Sequence, residues 1–192
     1  MRPYIAYIII AVLGIIILIR CLPRNKKRRK TFEIFAETGI GLFISIVILG
    51  LTNFDNFLLN SAGNLYLQYI SIIFFISGIF FILSSFISLK RIGKPITGLE
   101  DTTTMIHKGI FKTIRHPLYL GLSIVTVGFL FTYQAIVLVI IGIIAITLFY
   151  IASKVEDNYN IKKFGQVYTD YIIKVPLWNF FLGIYKNRKR LD

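Results

Sequence analysis

A small group of ionisable and polar side chains lies at the two ends of the longest apolar stretch of the chain. Its members are Arg115, His116, Tyr119, Glu156 and Asp157. Residues 118–152 between these ends contain no charged residue. If the chain folds back near Tyr133, position 133 − n lies opposite position 133 + n, so Glu156 faces about position 110. The sequence therefore predicts that the two ends meet.

Such a group has recognisable chemistry. A guanidinium binds a carboxylate with its planar fork, and a glutamate can hold a cationic ligand. Ionisable groups at a helix end against a bilayer are candidates for function, because a charge there is costly. The alternative is that these side chains only snorkel to the membrane surface or form a structural ion pair.

The elements that position this group are predicted from apolar runs, because a helix needs roughly 20 apolar residues to cross the hydrocarbon core. Such runs cover residues 4–22, 34–51 and 65–89. The stretch 118–152 is too long for one crossing and predicts a hairpin, with its turn at the polar residues Thr132, Tyr133 and Gln134. We expect an all-α polytopic membrane protein with five transmembrane helices, three in residues 1–89 and two in a catalytic half, 90–192.

Composition and charge support this class. Hydrophobic residues make up 56% of the chain and charged residues 16%, well below a soluble domain. The net charge is +13, but the chain is too apolar for a typical nucleic-acid-binding protein. The single cysteine excludes an internal disulfide. The number of Lys and Arg residues alternates between high and low from one connection to the next: seven in 20–30, none in 52–64, six in 90–115 and eight after 153. This alternation predicts that the N-terminus is outside and that the polar group lies on the cytoplasmic side.

Beyond the last apolar run, residues 154–174 predict one amphipathic helix at the cytoplasmic interface, where apolar and aromatic residues recur near helical spacing. Trp178 and the pair Phe180 and Phe181 then predict anchors at the level of the lipid headgroups. This tail helix is a candidate lid over the polar group.

The polar group also lies within a recognisable motif. Residues 109–121 read GIFKTIRHPLYLG, and they are followed after the hairpin by Glu156-Asp157, Phe164-Gly165, Tyr168 and Tyr171. This pattern resembles the signature of the isoprenylcysteine carboxyl methyltransferase and phospholipid methyltransferase superfamily. The resemblance covers residues 105–176. It departs at Asp157, where the family usually has a second glutamate, whose side chain is one methylene longer.

The resemblance implies methyl transfer from S-adenosyl-L-methionine at the cytoplasmic membrane face. It assigns catalytic roles to Arg115 and Glu156 and no metal site. The residues it places around the cofactor are Gly109, His116, Pro117, Tyr119, Glu156 and Asp157. The acceptor is expected to be amphipathic and to enter from the bilayer, as an isoprenylcysteine carboxylate or a lipid head group does, with membrane lipids and no nucleic acid as partners.

Two other functions stay open from the sequence alone. Some sterol reductases that use NADPH end with a similar R-H-P-x-Y stretch, although Leu118 stands here where they have asparagine. A catalytically inactive membrane adaptor would keep the same scaffold. Tyr168 and Tyr171 are expected to serve packing on an amphipathic helix.

Overall fold

The computed structural model describes residues 30–51, 64–93 and 104–189, and most of these residues are helical. The α-helices are α1 (Thr31–Leu51), α2 (Leu65–Ile92), α3 (Pro117–Tyr133), α4 (Ile136–Phe164), α5 (Gln166–Lys174) and α6 (Phe180–Arg188), and a 3₁₀ helix, η1, spans Gly109–Lys112. The part of the chain described contains no strand. The all-α prediction is confirmed for these residues.

Three of the helices are long and apolar enough to cross a membrane. They are α1, α2 and α4, with 21, 28 and 29 residues. Helix α3 is apolar but has only 17 residues. The first predicted crossing, residues 4–22, lies outside the described residues. The chain therefore has the helices of an integral membrane protein, while five crossings and an external N-terminus remain predictions.

The predicted hairpin is confirmed at the predicted place. Helix α3 ends at Tyr133 and α4 begins at Ile136. Between them Gln134 takes a φ of 50°, in the left-handed region that reverses the chain. Its buried side chain accepts from the backbone N–H of Asn64 at 2.8 Å and donates to the Asn64 carbonyl at 2.9 Å. A polar residue in an apolar run is thus used to close the turn.

The described residues divide into two compact units, each discontinuous along the chain. The first comprises described residues up to Ile76 with Ser123–Ala152, and the second comprises described residues within Ser77–Leu122 and Ser153–Asp192. In the first unit Leu49, Ala135 and Leu138 form a buried cluster. The separation of residues 1–89 from a catalytic half, 90–192, stays a prediction.

The second unit differs from the sequence prediction in its tail. The single helix expected over 154–174 is divided, since α4 runs on to Phe164 and α5 begins at Gln166. Gly165 between them has a φ of +63°, which a residue with a Cβ adopts only with strain. A further helix, α6, follows where only membrane anchors were expected. Both differences bring tail residues against the predicted site.

Candidate active site

The segment that carries the motif is short and tightly held. Helix η1 starts at Gly109, whose φ of +63° favours glycine. Arg115 and His116 follow, and their backbone N–H groups donate to the carbonyls of Pro176 at 3.1 Å and Leu177 at 3.5 Å. Pro117 then opens α3, at a position where the missing N–H costs no helical hydrogen bond. Arg115 and His116 are thus fixed just before a helix start.

The carboxylate of Asp157 is the centre of a buried network. It accepts from the Tyr168 hydroxyl at 2.7 Å and lies 2.8 Å from Nε2 of His116, both through Oδ1. Its Oδ2 lies 3.1 Å from Nη2 of Arg115. Asp157, Arg115 and His116 are only 5–8% exposed. Three donors around one buried carboxylate indicate an ionised side chain that is satisfied by the protein itself.

Arg115 is also engaged on its other side. Its Nη1 donates to the carbonyls of Ile172 at 2.8 Å and Val175 at 2.7 Å, at the end of α5. The terminal nitrogens expected to clamp a ligand carboxylate therefore hold Asp157 and α5. The buried Nε has no hydrogen-bond partner among the described residues. Three of the five N–H groups of the guanidinium are thus engaged by the protein, so the planar fork is not free to clamp a ligand carboxylate.

His116 lies between two carboxylates. Its Nε2 faces Asp157, so the proton on that nitrogen is donated to the carboxylate. Its Nδ1 lies 3.6 Å from Oε2 of Glu156, whose side chain is 20% exposed. Tyr119 stacks near the imidazole ring, with centroids 5.9 Å apart and planes at 25°. The imidazole therefore connects the buried Asp157 to the more open Glu156.

Two tyrosines expected to serve packing make specific hydrogen bonds as well. Tyr168 donates to Asp157, and Tyr171 donates to the carbonyl of Phe111 at 2.6 Å. Burial raises the pKa of the Tyr168 hydroxyl above its usual range, and the neighbouring Asp157 charge raises it further. Burial likewise raises the pKa of Tyr171. Both hydroxyls therefore stay protonated donors throughout the physiological range.

A hollow lies beside this network, and its space amounts to about 700 Å³ when the open mouth is included. Its walls are mostly apolar and aromatic, from Leu89, Met105, Ile106, Phe111, Arg115, His116, Pro117, Leu118, Tyr119, Glu156, Asn160, Phe164, Tyr168 and Tyr171. All of these residues belong to the second unit.

Some of the predicted site residues line the hollow and others do not. His116, Pro117, Tyr119 and Glu156 line it, together with Arg115. Gly109 and Asp157 are not in its lining, although Asp157 contacts three residues that are, Arg115, His116 and Tyr168. Asn160 and Tyr168 line it and were not among the predicted site residues. Asn160 follows Glu156 by one helical turn, and that spacing is the signal that places both on one face.

Comparison with known proteins identifies the region. A family model described as phospholipid methyltransferase matches residues 67–167 of the chain, just over half of its length. No curated protein and no solved structure matches the chain significantly. The matched region contains the motif segment, the hairpin and the Glu156-Asp157 pair.

Proposed function

The chain belongs to the phospholipid methyltransferase family, a family of membrane methyltransferases, and we propose that it methylates an amphipathic acceptor with S-adenosyl-L-methionine as the donor. The observation that carries this proposal is the hollow, in which Glu156 and Arg115 line an otherwise mostly apolar wall. The resemblance of the motif to the superfamily and the three apolar helices support the same function.

The residues around the hollow fit this cofactor. S-adenosyl-L-methionine, when bound, supplies a methyl group on a cationic sulfonium, beside an amine, a carboxylate and an adenosyl group. Glu156 provides a partly exposed carboxylate for a cationic group. Arg115 also lines the hollow and supplies a positive charge beside it, which favours an anionic group of the ligand. His116 and Tyr119 provide a pair of stacked rings in the wall, and Pro117 adds an apolar surface.

The protein contributes alignment and exclusion of water. Transfer of a methyl group by direct displacement depends on holding two groups in line more than on a strong base. The rigid support for Glu156 is α4, and the support for Arg115 and His116 is the pair of backbone hydrogen bonds to Pro176 and Leu177. Asp157 fixes the orientation of both side chains from behind.

Of the two acceptor classes, a lipid head group is favoured over an isoprenylcysteine carboxylate. A carboxylate acceptor needs a cationic partner, and the terminal nitrogens of Arg115 already hold Asp157 and two carbonyls. Glu156 is the carboxylate of the lining, and an acceptor with an amine brings no second negative charge beside it. The excess of Lys and Arg in the same connections supports a reaction on the cytoplasmic side.

The alternative of an NADPH-dependent reductase predicts a different ligand. The two functions can be distinguished by measuring the thermal midpoint of the protein in detergent with S-adenosyl-L-methionine and, separately, with NADPH. The methyltransferase proposal expects a rise with the first ligand and none with the second. A catalytically inactive adaptor is distinguished by transfer of labelled methyl into a total membrane extract, followed by identification of the product.

The site itself is tested by Glu156→Gln. This variant removes the negative charge in the lining with little change in shape, so the rise caused by S-adenosyl-L-methionine should shrink or vanish. The matched control is Asp170→Asn, because Asp170 is an exposed carboxylate on α5 that bonds Gln166 and is not in the lining. If Glu156→Gln retains binding and turnover at the level of this control, the proposed site is wrong.

A further inference from the structure

Helix α6 presents an exposed face that combines apolar and basic residues. Phe181, Leu182 and Tyr185 are 82%, 40% and 56% exposed. Their spacing places them on one face of the helix, and the next turn adds Arg188 and Lys189, both exposed. The Nζ of Lys189 lies 5.1 Å from the ring centroid of Tyr185, so basic and aromatic groups occur together on this face. We call these five residues the outer face of α6.

The opposite side of α6 holds the segment that leads to the candidate active site. Gly183 is buried against Thr113, and a Cβ at this glycine would overlap the Thr113 carbonyl oxygen. Asn187 donates from Nδ2 to the Lys112 carbonyl at 3.1 Å and lies 3.2 Å from Thr113 Oγ1. Thr113 precedes Arg115 by two residues. Any force that fixes α6 therefore also fixes the start of the site.

We propose that the outer face of α6 docks on an anionic membrane surface and that this contact supports the segment before Arg115. Exposed aromatic residues with neighbouring Lys and Arg are typical of helices that lie in the headgroup region of anionic lipid. The opposite charges of the outer face and such a surface attract. A second copy of the chain would instead place this basic face against another basic protein of net charge +13, which disfavours a copy as the occupant.

The chain contains its own reporter for this contact. Trp178 is the single tryptophan and precedes α6 by two residues. We would reconstitute the full chain in lipid discs in which a fixed fraction of the lipid is brominated, either as anionic phosphatidylglycerol or as zwitterionic phosphatidylcholine. Total lipid composition is the same in both, and only the brominated species changes. Docking on anionic lipid predicts stronger quenching of Trp178 by the brominated anionic lipid.

Two matched variants test the role of the outer face. Arg188→Gln with Lys189→Gln removes two charges from it and should reduce the preference for anionic lipid severalfold. Lys162→Gln with Lys163→Gln removes two exposed charges from the end of α4 and should leave the preference largely unchanged. Circular dichroism confirms that each variant keeps its helices.

Three results would overturn the docking proposal. The first is equal quenching by the two brominated lipids, and the second is equal loss of the preference in both charge variants. The third is quenching that falls as protein is added at constant lipid, since a second copy would then cover the face.

A separate measurement follows methyl transfer in discs of increasing anionic lipid content, which should raise the rate in the parent protein more than in the Arg188 and Lys189 variant. This arm alone rests on the proposed function. The quenching does not, so failure of the two proposals can be told apart.

Discussion

Replacement of Asp157 by asparagine tests whether this carboxylate stabilises the fold while the adjacent Glu156 binds the ligand. The change keeps the size of the side chain but removes the charge that pairs with Arg115. Arg115 is 8% exposed, so its guanidinium would be left buried without a counter-charge. Removing one partner of a buried ion pair costs about 3–5 kcal/mol. A loss of 1 kcal/mol lowers the thermal midpoint by roughly 2–4 °C in a chain of this size, so we expect a fall of roughly 6–20 °C.

The neighbouring Glu156 should behave in the opposite way. Its side chain is 20% exposed and 3.6 Å from His116, so Glu156→Gln should cost less than about 1 kcal/mol in the ligand-free protein. The same variant should lose the stabilisation by S-adenosyl-L-methionine. Asp157→Asn, if kept folded at low temperature, should retain part of it, because Asp157 is not in the lining of the hollow.

The assay is thermal unfolding in one detergent, followed by Trp178 fluorescence and by circular dichroism, with and without the cofactor. Asp170→Asn serves as the control for loss of an exposed carboxylate. The reasoning is refuted if Asp157→Asn lowers the midpoint no more than Asp170→Asn does. It is equally refuted if Glu156→Gln is the more destabilising of the two adjacent changes.

Gly183→Ala should lower the thermal midpoint and methyl transfer together, because the added Cβ overlaps the carbonyl of Thr113. Gly165→Ala is the comparison variant, because a Cβ there meets open space and costs only the roughly 1–2 kcal/mol of a left-handed backbone. A smaller fall in the thermal midpoint for Gly183→Ala than for Gly165→Ala would contradict the packing described. Absorbance at 295 nm during alkaline titration should show that Tyr168 and Tyr171 ionise only as the protein unfolds, because burial raises both pKa values. Stability from these hydroxyls is complete below the ordinary tyrosine pKa of about 10 and declines above it; early ionisation of all tyrosines would argue against their burial.

The hairpin and its turn could be predicted because they depend on the two strongest signals in the sequence. A long charge-free run specifies apolar helices, and a polar centre such as Gln134 specifies where the run reverses. Counting outward from Tyr133 places Asp157 opposite position 109, whereas it contacts His116. The count fails there because the segment before Pro117 is not α-helical, so it no longer rises in step with α4.

The remainder of the site depends on information that residue types do not contain. The acceptors for Nη1 of Arg115 are backbone carbonyls at Ile172 and Val175, and any residue has such a carbonyl. The break at Gly165 is a backbone conformation that an amphipathic pattern hides. Helix α6 has only nine residues, so its periodicity is too short to separate it from a loop. Resemblance to a family predicted the types of the site residues. Which of them line the hollow and which lie behind it depends on the three-dimensional packing.

The hydrogen bonds from Arg115 to α5 have a consequence for biosynthesis. Their acceptors follow 57 and 60 positions later in the chain. Ordering so long a loop is entropically costly until the hairpin of α3 and α4 has formed and brought its ends together. A nascent chain that has not yet released residue 175 from the ribosome therefore holds a folded hairpin with an unfinished binding wall. Translation must therefore pass α5 before the wall of the hollow is complete.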